Sequence, residues 1–222
     1  MDFVFLSHTA LFRGVSPEEA ESMLSCLGAE RRQFAKGQMI YRTGDEVSSL
    51  GLVLSGQVLI ERGDLWGSAT VLDSIGPGQI FAETYACTPG EPLMVDVTAA
   101  GEAEILFLNV NRALQVCSHT CDYHSKLIRN LLSLSAQKNL SLSRKIFHTA
   151  PKSIRGRLLA YLSDQAVRNG SRRFAVPFNR QQLADYLNVD RSALSNELSK
   201  MQRDGLLKVE RSRFELMDRP ED

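Results

Sequence analysis

The chain has 222 residues, of which 43% are hydrophobic, and its formal net charge at pH 7 is zero. This length and apolar content exclude an intrinsically disordered protein and suffice for one large domain or two smaller ones. The longest apolar runs are strand-sized, and Met1 to Thr9 lacks the basic start of a signal peptide. We therefore expect a cytosolic protein with no membrane association.

The neutral total conceals two oppositely charged halves. Residues 1–110 contain 6 lysines and arginines and 15 acidic residues, a net charge of −9, which leaves +9 for residues 111–222. The basic half should attract a phosphate backbone, and the acidic half should repel it. Contacts with nucleic acid are therefore expected in the C-terminal half.

Short apolar segments separated by glycines dominate the chain from Glu30 to Leu108. Ahead of them, Ser16-Pro17-Glu18-Glu19 has the hydroxyl, proline and acidic residues that are typical of a helix start. The apolar segments have the length and alternation of strands, and the clearest cover residues 38–41, 50–54, 57–60 and 104–108. This pattern predicts an antiparallel β-roll.

A long helix is predicted from Asn111 to Phe147, a range that contains neither proline nor glycine. Two apolar rows run along it, one formed by Leu127, Leu131 and Leu134 and the other by Ile128 and Leu132. Such a helix could pack on its own β-roll and on the same helix of a second copy. Leu127, Leu131 and Leu134 are therefore the candidate dimer contacts, and a purely intramolecular core helix is the alternative.

The C-terminal region has the pattern of two short helices followed by a hairpin. After Pro151, an amphipathic helix is predicted over 153–167. Asn179 and Gln182 are spaced as in a capping box that opens the next helix. Asp190 can cap a further helix over 191–203, and Gly205 stands where a left-handed C-terminal cap is needed. Apolar residues at 183, 187, 189, 194, 198 and 201 would close a core, as in a helix-turn-helix.

The polar residues left on the second helix suit DNA. Arginine pairs with guanine and asparagine with adenine in the major groove, whereas hydroxyls, lysine and helix N-termini suit phosphates. The hairpin would add a basic tip. The candidate DNA contacts are Arg180, Gln181, Arg191, Ser192, Ala193, Ser195, Asn196, Ser199, Lys200, Arg211 and Arg213. An ordinary solvated helix pair is the alternative, and the continuous order of cap, turn, helix, glycine and basic hairpin argues against it.

Four segments of the chain resemble the Crp/Fnr family of bacterial regulators. Residues 178–207 contain N-R-Q-Q-L-A-D-Y-L-N-V-D-R-S-A-L-S-N-E-L-S-K-M-Q-R-D-G-L-L, which is similar to the DNA-binding region of that family. K-G-Q-M-I-Y-R-T-G-D-E at 36–46, L-S-G-Q-V at 54–58 and G-P-G-Q-I-F-A-E at 76–83 are similar to its β-roll turns. The resemblance extends over about residues 10–217.

This resemblance implies an α+β chain with three parts: a cupin-like antiparallel β-roll over 1–110 that senses an effector, a dimerisation helix over 111–147, and a winged helix-turn-helix over 148–222. It further implies a homodimer on a roughly palindromic double-stranded DNA site, with one recognition helix in each of two major grooves. RNA polymerase is a further partner of a regulator of this type. No enzymatic activity and no catalytic residue are expected.

The sequence departs from the cyclic-nucleotide-binding members of the family. Those members have a Gly-Glu pair followed by an Arg-Ser or Arg-Thr pair that holds the phosphate, whereas this chain has Ala82-Glu83 and later Leu93-Met94, and no lysine or arginine between Arg62 and Arg112. A buried cyclic phosphate would lack a positive partner. We therefore expect no binding of cyclic AMP. The candidate pocket for a neutral or apolar small-molecule effector consists of Phe81, Glu83, Thr84, Tyr85, Leu93 and Met94.

A second departure lies in the recognition helix. Well-studied members often place Glu and Arg where this chain has Ser192 and Asn196, whereas Arg191 is kept. The DNA site should therefore differ from the sites of those members.

The cysteines and histidines suggest no resident cofactor. The four cysteines, at 26, 87, 117 and 121, have no C-x-x-C spacing, and the four histidines, at 8, 119, 124 and 148, lie outside the β-roll strands. We expect reduced structural thiols, no metal site of the cupin-enzyme type, and neither haem nor an iron–sulfur cluster. A redox or haem sensor with the same DNA-binding end and an effector-independent regulator remain the alternatives. Trp66 is expected to pack on its own sheet or to cover the pocket.

Overall fold

The computed structural model of the chain describes residues 1–63, 69–114 and 122–217, apart from the side chains of residues 113, 114 and 122. The chain divides into two compact units, Met1–Gln137 and Lys138–Asp222. The predicted division at 110 and 147 stays a prediction. Trp66, Cys117, His119 and Cys121, which the sequence analysis considered, lie outside the described residues.

The first unit begins with two helices, α1 (Phe3–His8) and α2 (Pro17–Cys26). Ser16 and Glu19 form a capping box at the start of α2, where the Ser16 hydroxyl accepts the Glu19 N–H and the Glu19 carboxylate accepts the Ser16 N–H. The helix start predicted at Ser16-Pro17 is therefore confirmed. Helix α1 was not predicted.

Eight antiparallel strands follow: β1 (Glu30–Phe34), β2 (Met39–Tyr41), β3 (Ser49–Ser55), β4 (Val58–Gly63), β5 (Ala69–Ile75), β6 (Ile80–Phe81), β7 (Asp96–Ala99) and β8 (Ala103–Asn109). They form two four-stranded sheets, with the orders β1-β8-β3-β6 and β2-β7-β4-β5. A four-residue helix, α3 (Glu83–Ala86), interrupts them after β6. The predicted β-roll is confirmed.

Aromatic rings and aliphatic side chains pack together in the interior of the β-roll. Phe34, Tyr41, Phe81 and Phe107 pack edge to face, with ring centroids between 5.6 and 6.5 Å apart. Gly51 on β3 is the neighbour that allows the Phe81 ring to enter, because a Cβ at Gly51 would lie 2.1 Å from the Phe81 ring carbon Cζ. Edge-to-face packing of this kind adds to the burial of the rings.

Two helices are described in the range predicted as one. Helix α4 (Val110–Leu114) follows β8 directly, and α5 (Asp122–Thr149) contains the described residues from 122 onward, while residues 115–121 lie outside the described part of the chain. Leu127 and Leu131 of α5 are buried in the core of the first unit, and Leu134 packs against that core. None of the helices in the described part of the chain is both long and apolar enough to cross a membrane.

The second unit contains the end of α5, then α6 (Ile154–Asn169), β9 (Arg173–Ala175), α7 (Arg180–Leu187), α8 (Arg191–Arg203), β10 (Leu207–Glu210) and β11 (Arg213–Leu216). Ser153 caps the start of α6, and Gly170 ends it with a left-handed backbone. Strands β10 and β11 form the predicted hairpin, and β9, which was not predicted, extends it to a three-stranded sheet in the order β10-β11-β9. The mixed helix and sheet architecture with a C-terminal winged helix-turn-helix is confirmed.

Replacing Gly51 by alanine is expected to destabilise the first unit. The new methyl group would overlap the Phe81 ring, and overpacking of a filled core costs about 1–3 kcal/mol of unfolding free energy. Gly101 is the matched control, because a Cβ there meets nothing within 4 Å. Urea unfolding of both alanine variants, followed by far-UV circular dichroism, should show a loss of stability for Gly51→Ala alone. Equal stability of the two variants would contradict this account of the interior.

Candidate nucleic-acid interface

Helices α7 and α8 are joined by a tight turn, and the start of each helix is capped as the sequence predicts. The side-chain oxygen of Asn179 accepts the Gln182 N–H at 2.9 Å, and the Gln182 side chain accepts the Asn179 N–H at 2.9 Å. Asn188 ends α7 with a left-handed backbone, φ 56°. Asp190 then caps α8 by accepting the Ala193 N–H at 2.8 Å. Leu183, Leu187, Leu194, Leu198 and Met201 form the predicted core between the helices.

One face of α8 presents polar side chains to solvent. Arg191, Ser192, Asn196, Ser199 and Lys200 are exposed, and Ala193 and Ser195 are half-buried on the same helix. In the part of the chain that the structure describes, neither Arg191 nor Lys200 forms an ion pair. Both charges are therefore available to a ligand.

The hydroxyls on this face are engaged within the protein. Ser195 and Ser199 each donate to a carbonyl one turn earlier on α8, that of Arg191 at 2.9 Å and that of Ser195 at 3.0 Å. Ser192 donates to the Asp190 carboxylate. This hydrogen bond is the main reason that the pKa of Asp190 lies below its usual value, and the hydrogen bond from the Ala193 N–H is the next. In this arrangement the three serines offer acceptor oxygens, whereas the side chains with free donors are Arg191, Asn196 and Lys200.

A second group of predicted residues meets between the start of α7 and the tip of the hairpin. A cavity of about 460 Å³ there is lined by both Arg180 and Arg211. The Arg180 guanidinium lies over the Phe214 ring, 5.5 Å from its centroid, and its burial lowers the pKa of Arg180. Gln181 is exposed at the same end of α7, and its side-chain amide donates to Asp185. Two guanidinium groups beside a capped helix start suit a phosphate.

Arg213 lies apart from this group. It belongs to strand β11, where its backbone lies opposite Glu210 of β10. Arg213 lines a separate cavity of about 510 Å³, which Arg173 and Lys208 also line. The tip itself consists of Arg211 and Ser212, and Arg211 has a positive φ of 54°. The structure therefore brings Arg211, but not Arg213, to the cavity with Arg180.

Sequence reasoning missed an arginine of α6, Arg155, that forms ion pairs with α8 and the residue after it. Arg155 contacts two carboxylates of the α8 region, Glu197 at 2.6 Å and Asp204 at 2.7 Å. These hydrogen bonds raise the pKa of Arg155, and the one to Glu197 has the larger effect. Nothing in the sequence marked this pairing, since its members are 42 and 49 residues apart. Only the packing of α6 on α8 brings them together.

The last turn of α5 is joined to α7 by an aromatic cluster. His148 is buried, and its Nδ1 lies 2.9 Å from the Tyr186 hydroxyl, while its Nε2 lies 3.5 Å from an Asp164 carboxylate oxygen. The ring also packs on Tyr161. Burial lowers the pKa of His148, and Asp164 opposes that shift. The imidazole is therefore held in its neutral form at pH 7, and it ties α5 to the first helix of the helix-turn-helix.

The predicted effector residues are distributed differently. Phe81, Glu83 and Leu93 are buried, Tyr85 is half-buried, and Thr84 and Met94 are exposed. Phe81 belongs to the interior aromatic cluster, and the Tyr85 hydroxyl accepts the Met94 N–H at 3.4 Å. The structure thus brings Tyr85 and Met94 together and uses Phe81 to fill the β-roll.

The first unit has a cavity of about 350 Å³ that the sequence analysis did not consider. Arg32 and Arg112 line it, and so do Glu30 and Glu46. Arg32 pairs with Glu30. The two positive charges of this cavity are matched by two negative charges, so it offers no net attraction to an anion.

Two family models match the chain, one for each part of this architecture. The model described as a cyclic nucleotide-binding domain matches residues 31–120, and the model described as a Crp-like helix-turn-helix domain matches residues 156–221. The second match contains α7, α8 and the hairpin.

Curated relatives agree with these models. The chain is 36% identical over 98 residues to the cyclic AMP receptor protein of Thermus thermophilus, an alignment that covers 44% of each chain. It is 21% identical over 206 residues to the CRP-like cAMP-activated global transcriptional regulator of Mycobacterium tuberculosis, with 92% of this chain and 91% of the relative covered.

A solved structure has the same fold. The catabolite activator protein of Thermus thermophilus superposes with a TM-score of 0.52 at 24% sequence identity, and the superposition covers 95% of this chain and 94% of that one. The cyclic nucleotide-binding model and the Crp-like helix-turn-helix model match the chain in this order, on either side of the long helix α5. The chain belongs to the Crp/Fnr family of transcription regulators.

Proposed function

We propose that this protein is a homodimeric, sequence-specific DNA-binding regulator whose β-roll responds to something other than cyclic AMP. The observation that carries the DNA-binding part is the exposed face of α8, where Arg191, Asn196 and Lys200 keep free donors. A guanidinium and a carboxamide near the start of a helix suit base edges in the major groove, whereas Arg180 and Arg211 suit the adjacent phosphates. The other predicted contacts, Gln181, Ser192, Ala193, Ser195, Ser199 and Arg213, stay predictions.

The second copy is proposed to bind along an exposed face of α5. Leu132, Leu140, Leu142, Ile146 and Phe147 are between 54% and 71% exposed, and at 3.6 residues per turn they fall within an arc of about 160°. Leu127 and Leu131 are already buried within their own unit. The exposed face is therefore a better candidate for the contact with a second copy than the row that the sequence suggested. Several large apolar side chains exposed along one side of a helix are typical of an interaction site.

Charge and space in the β-roll both disfavour cyclic AMP as the effector. The relatives named above include a cyclic AMP receptor and a cAMP-activated regulator. In this chain, the stretch that corresponds to the phosphate-binding pair of such members is Glu91-Pro92-Leu93-Met94, which contains no cation, and the Phe81 ring belongs to the core of the β-roll. A cyclic phosphate buried beside Glu83 without a cation would be strongly disfavoured. A neutral or apolar effector, or none, fits these residues better.

A haem- or metal-responsive input is a second candidate because of one observation. His124 on α5 is only 8% exposed, and neither of its ring nitrogens has a hydrogen-bond partner among the described residues. An imidazole without hydrogen-bond partners can offer a nitrogen lone pair to a transition metal such as iron. A haem-bound form would show a Soret absorption band in the purified protein.

Replacing Arg191 by alanine is expected to weaken binding to a DNA site that the wild-type protein selects from random sequences. Loss of one arginine contact to a base costs about 1–3 kcal/mol of binding free energy. Arg168→Ala is the matched control, since it removes one charge from an exposed position on α6. Titrations by fluorescence anisotropy should show the large loss for Arg191→Ala alone. Equal affinities of the two variants would rule out this use of Arg191.

Replacing Leu142 by glutamate is expected to convert a dimer into a monomer, because a carboxylate in the centre of an apolar contact is left without a partner. Val167→Glu is the control, since Val167 is 80% exposed on α6, outside the proposed contact. Size-exclusion chromatography with light scattering measures the mass of each variant. A wild-type monomer, or a Leu142→Glu dimer at the same concentration, would contradict the proposed interface.

A calorimetric titration with cyclic AMP is expected to show no saturable binding at micromolar nucleotide. The physical reason is the missing cation beside Leu93 and Met94. Micromolar affinity would overturn this part of the proposal and would leave the DNA-binding part unaffected.

A further inference from the structure

We propose that Arg157 is a positioning residue for DNA recognition, which holds the turn between α7 and α8 against the end of the α5–α6 connection. The inference rests on the proposed DNA-binding function. It starts from one guanidinium group that makes three hydrogen bonds to backbone carbonyls. Its Nε donates to Pro151 at 2.9 Å, and one Nη donates to Leu187 at 3.1 Å and to Asn188 at 2.9 Å.

The carbonyls at the turn need a donor from outside the helix, for a reason that lies in helix geometry. The last carbonyls of a helix have no N–H ahead of them to accept. At the end of α7, the N–H groups of Asn188 and Val189 fold back to the carbonyls of Ala184 and Asp185. The carbonyls of Leu187 and Asn188 lie beyond these bonds and point to Arg157. A cation there also faces the negative end of the α7 dipole.

The turn depends on one left-handed residue. Asn188 has φ 56° and ψ 52°, a conformation that asparagine tolerates better than other non-glycine residues and that reverses the chain at the end of α7. Asp190, two residues later, caps α8, and Arg191 begins it. The direction in which α8 leaves α7 therefore depends on the conformation of residues 188–190. The guanidinium fixes one side of that segment.

The contact to Pro151 connects this turn to the end of the long helix. Helix α5 ends at Thr149 and α6 begins at Ile154. Gly156 on α6 allows a close approach, because a Cβ there would lie 2.8 Å from the Pro151 side chain. Arg157 follows directly and reaches the Pro151 carbonyl. One side chain thus binds both the connection after α5 and the turn before α8.

A second contact follows the same route. His148, in the last turn of α5, pairs with Tyr186 of α7 at 2.9 Å. On the other side, Arg155 holds α8 through Glu197 and Asp204. Within the second unit, the end of α5 is therefore bonded to α7 and to the turn. A displacement of the end of α5 would reach α7 through His148 and Tyr186, and it would reach the turn before α8 through Arg157.

Lysine cannot replace arginine in this role. The three acceptors belong to two separate segments of backbone, and the planar fork of a guanidinium reaches them with two different nitrogens. A lysine has one ammonium group at the end of a flexible stem, so it keeps the charge but not the fork. Arg157→Lys therefore separates the effect of geometry from that of charge.

The test compares Arg157→Ala and Arg157→Lys with Arg168→Ala in the full chain. Hydrogen exchange by mass spectrometry should show faster exchange of the 187–193 segment in both Arg157 variants and an unchanged rate in the control. Affinity for DNA selected by the wild-type protein should fall at least about tenfold in both Arg157 variants, because a bond to a charged group is lost at the turn. Affinity for unrelated duplex DNA should fall no more than in Arg168→Ala, since non-specific binding follows charge.

Failure of the positioning role and failure of the proposed DNA-binding function give different results. Wild-type exchange in the 187–193 segment of Arg157→Ala, or wild-type affinity of Arg157→Lys for the selected DNA, would overturn the proposal. Loss of the folded state in both Arg157 variants, measured by circular dichroism, would show a general structural role and would also overturn it. If the wild-type protein and Arg168→Ala select no DNA, the proposed function fails, and the exchange comparison still decides whether Arg157 holds the turn.

Discussion

The positive surface of the helix-turn-helix depends on ion pairs and caps that engage the carboxylates around it. Glu197 and Asp204 are paired with Arg155, and Asp190 accepts hydrogen bonds at the start of α8. Because these acids have partners within the protein, the charges of Arg191 and Lys200 are not neutralised by their neighbours. A chain with a net charge of zero can in this way present a basic face to DNA, since the position of the charges matters more than their sum.

The interior of the β-roll depends on individual side chains rather than on the fold alone. The family model that matches this region describes a cyclic nucleotide-binding domain, yet the residues present place aromatic rings in the core and leave no cation in the 81–94 region. Gly51 and Phe81 are complementary, because the absence of a side chain at one makes room for the ring of the other. Fold and ligand are therefore separate questions, and the second is decided by individual side chains.

Local patterns predicted most of the elements that have local causes. The capping boxes at Ser16 and Asn179, the cap at Asp190 and the left-handed glycine at 205 each involve residues at most three or four apart, so the sequence displays them directly. Helix α1, helix α3 and strand β9 escaped prediction because they are short and lack a clear period. Leu127 and Leu131 formed a visible row, but periodicity does not say whether such a row meets its own unit or a second copy.

The sequence by itself determined the order of the β-roll and the helix-turn-helix, the starts of α2, α7 and α8, and the residue types exposed on α8, because each of these follows from periodicity and from the chemistry of neighbouring residues. The tertiary structure decided which distant residues meet. Arg180 reaches the Phe214 ring, Arg155 reaches Glu197, and Arg157 reaches Leu187 and Asn188 across 30 residues or more. These contacts arise from the packing of α6, α7, α8 and the hairpin around one apolar core, and a long flexible side chain carries no sign in the sequence of the carbonyl or carboxylate that it will bind.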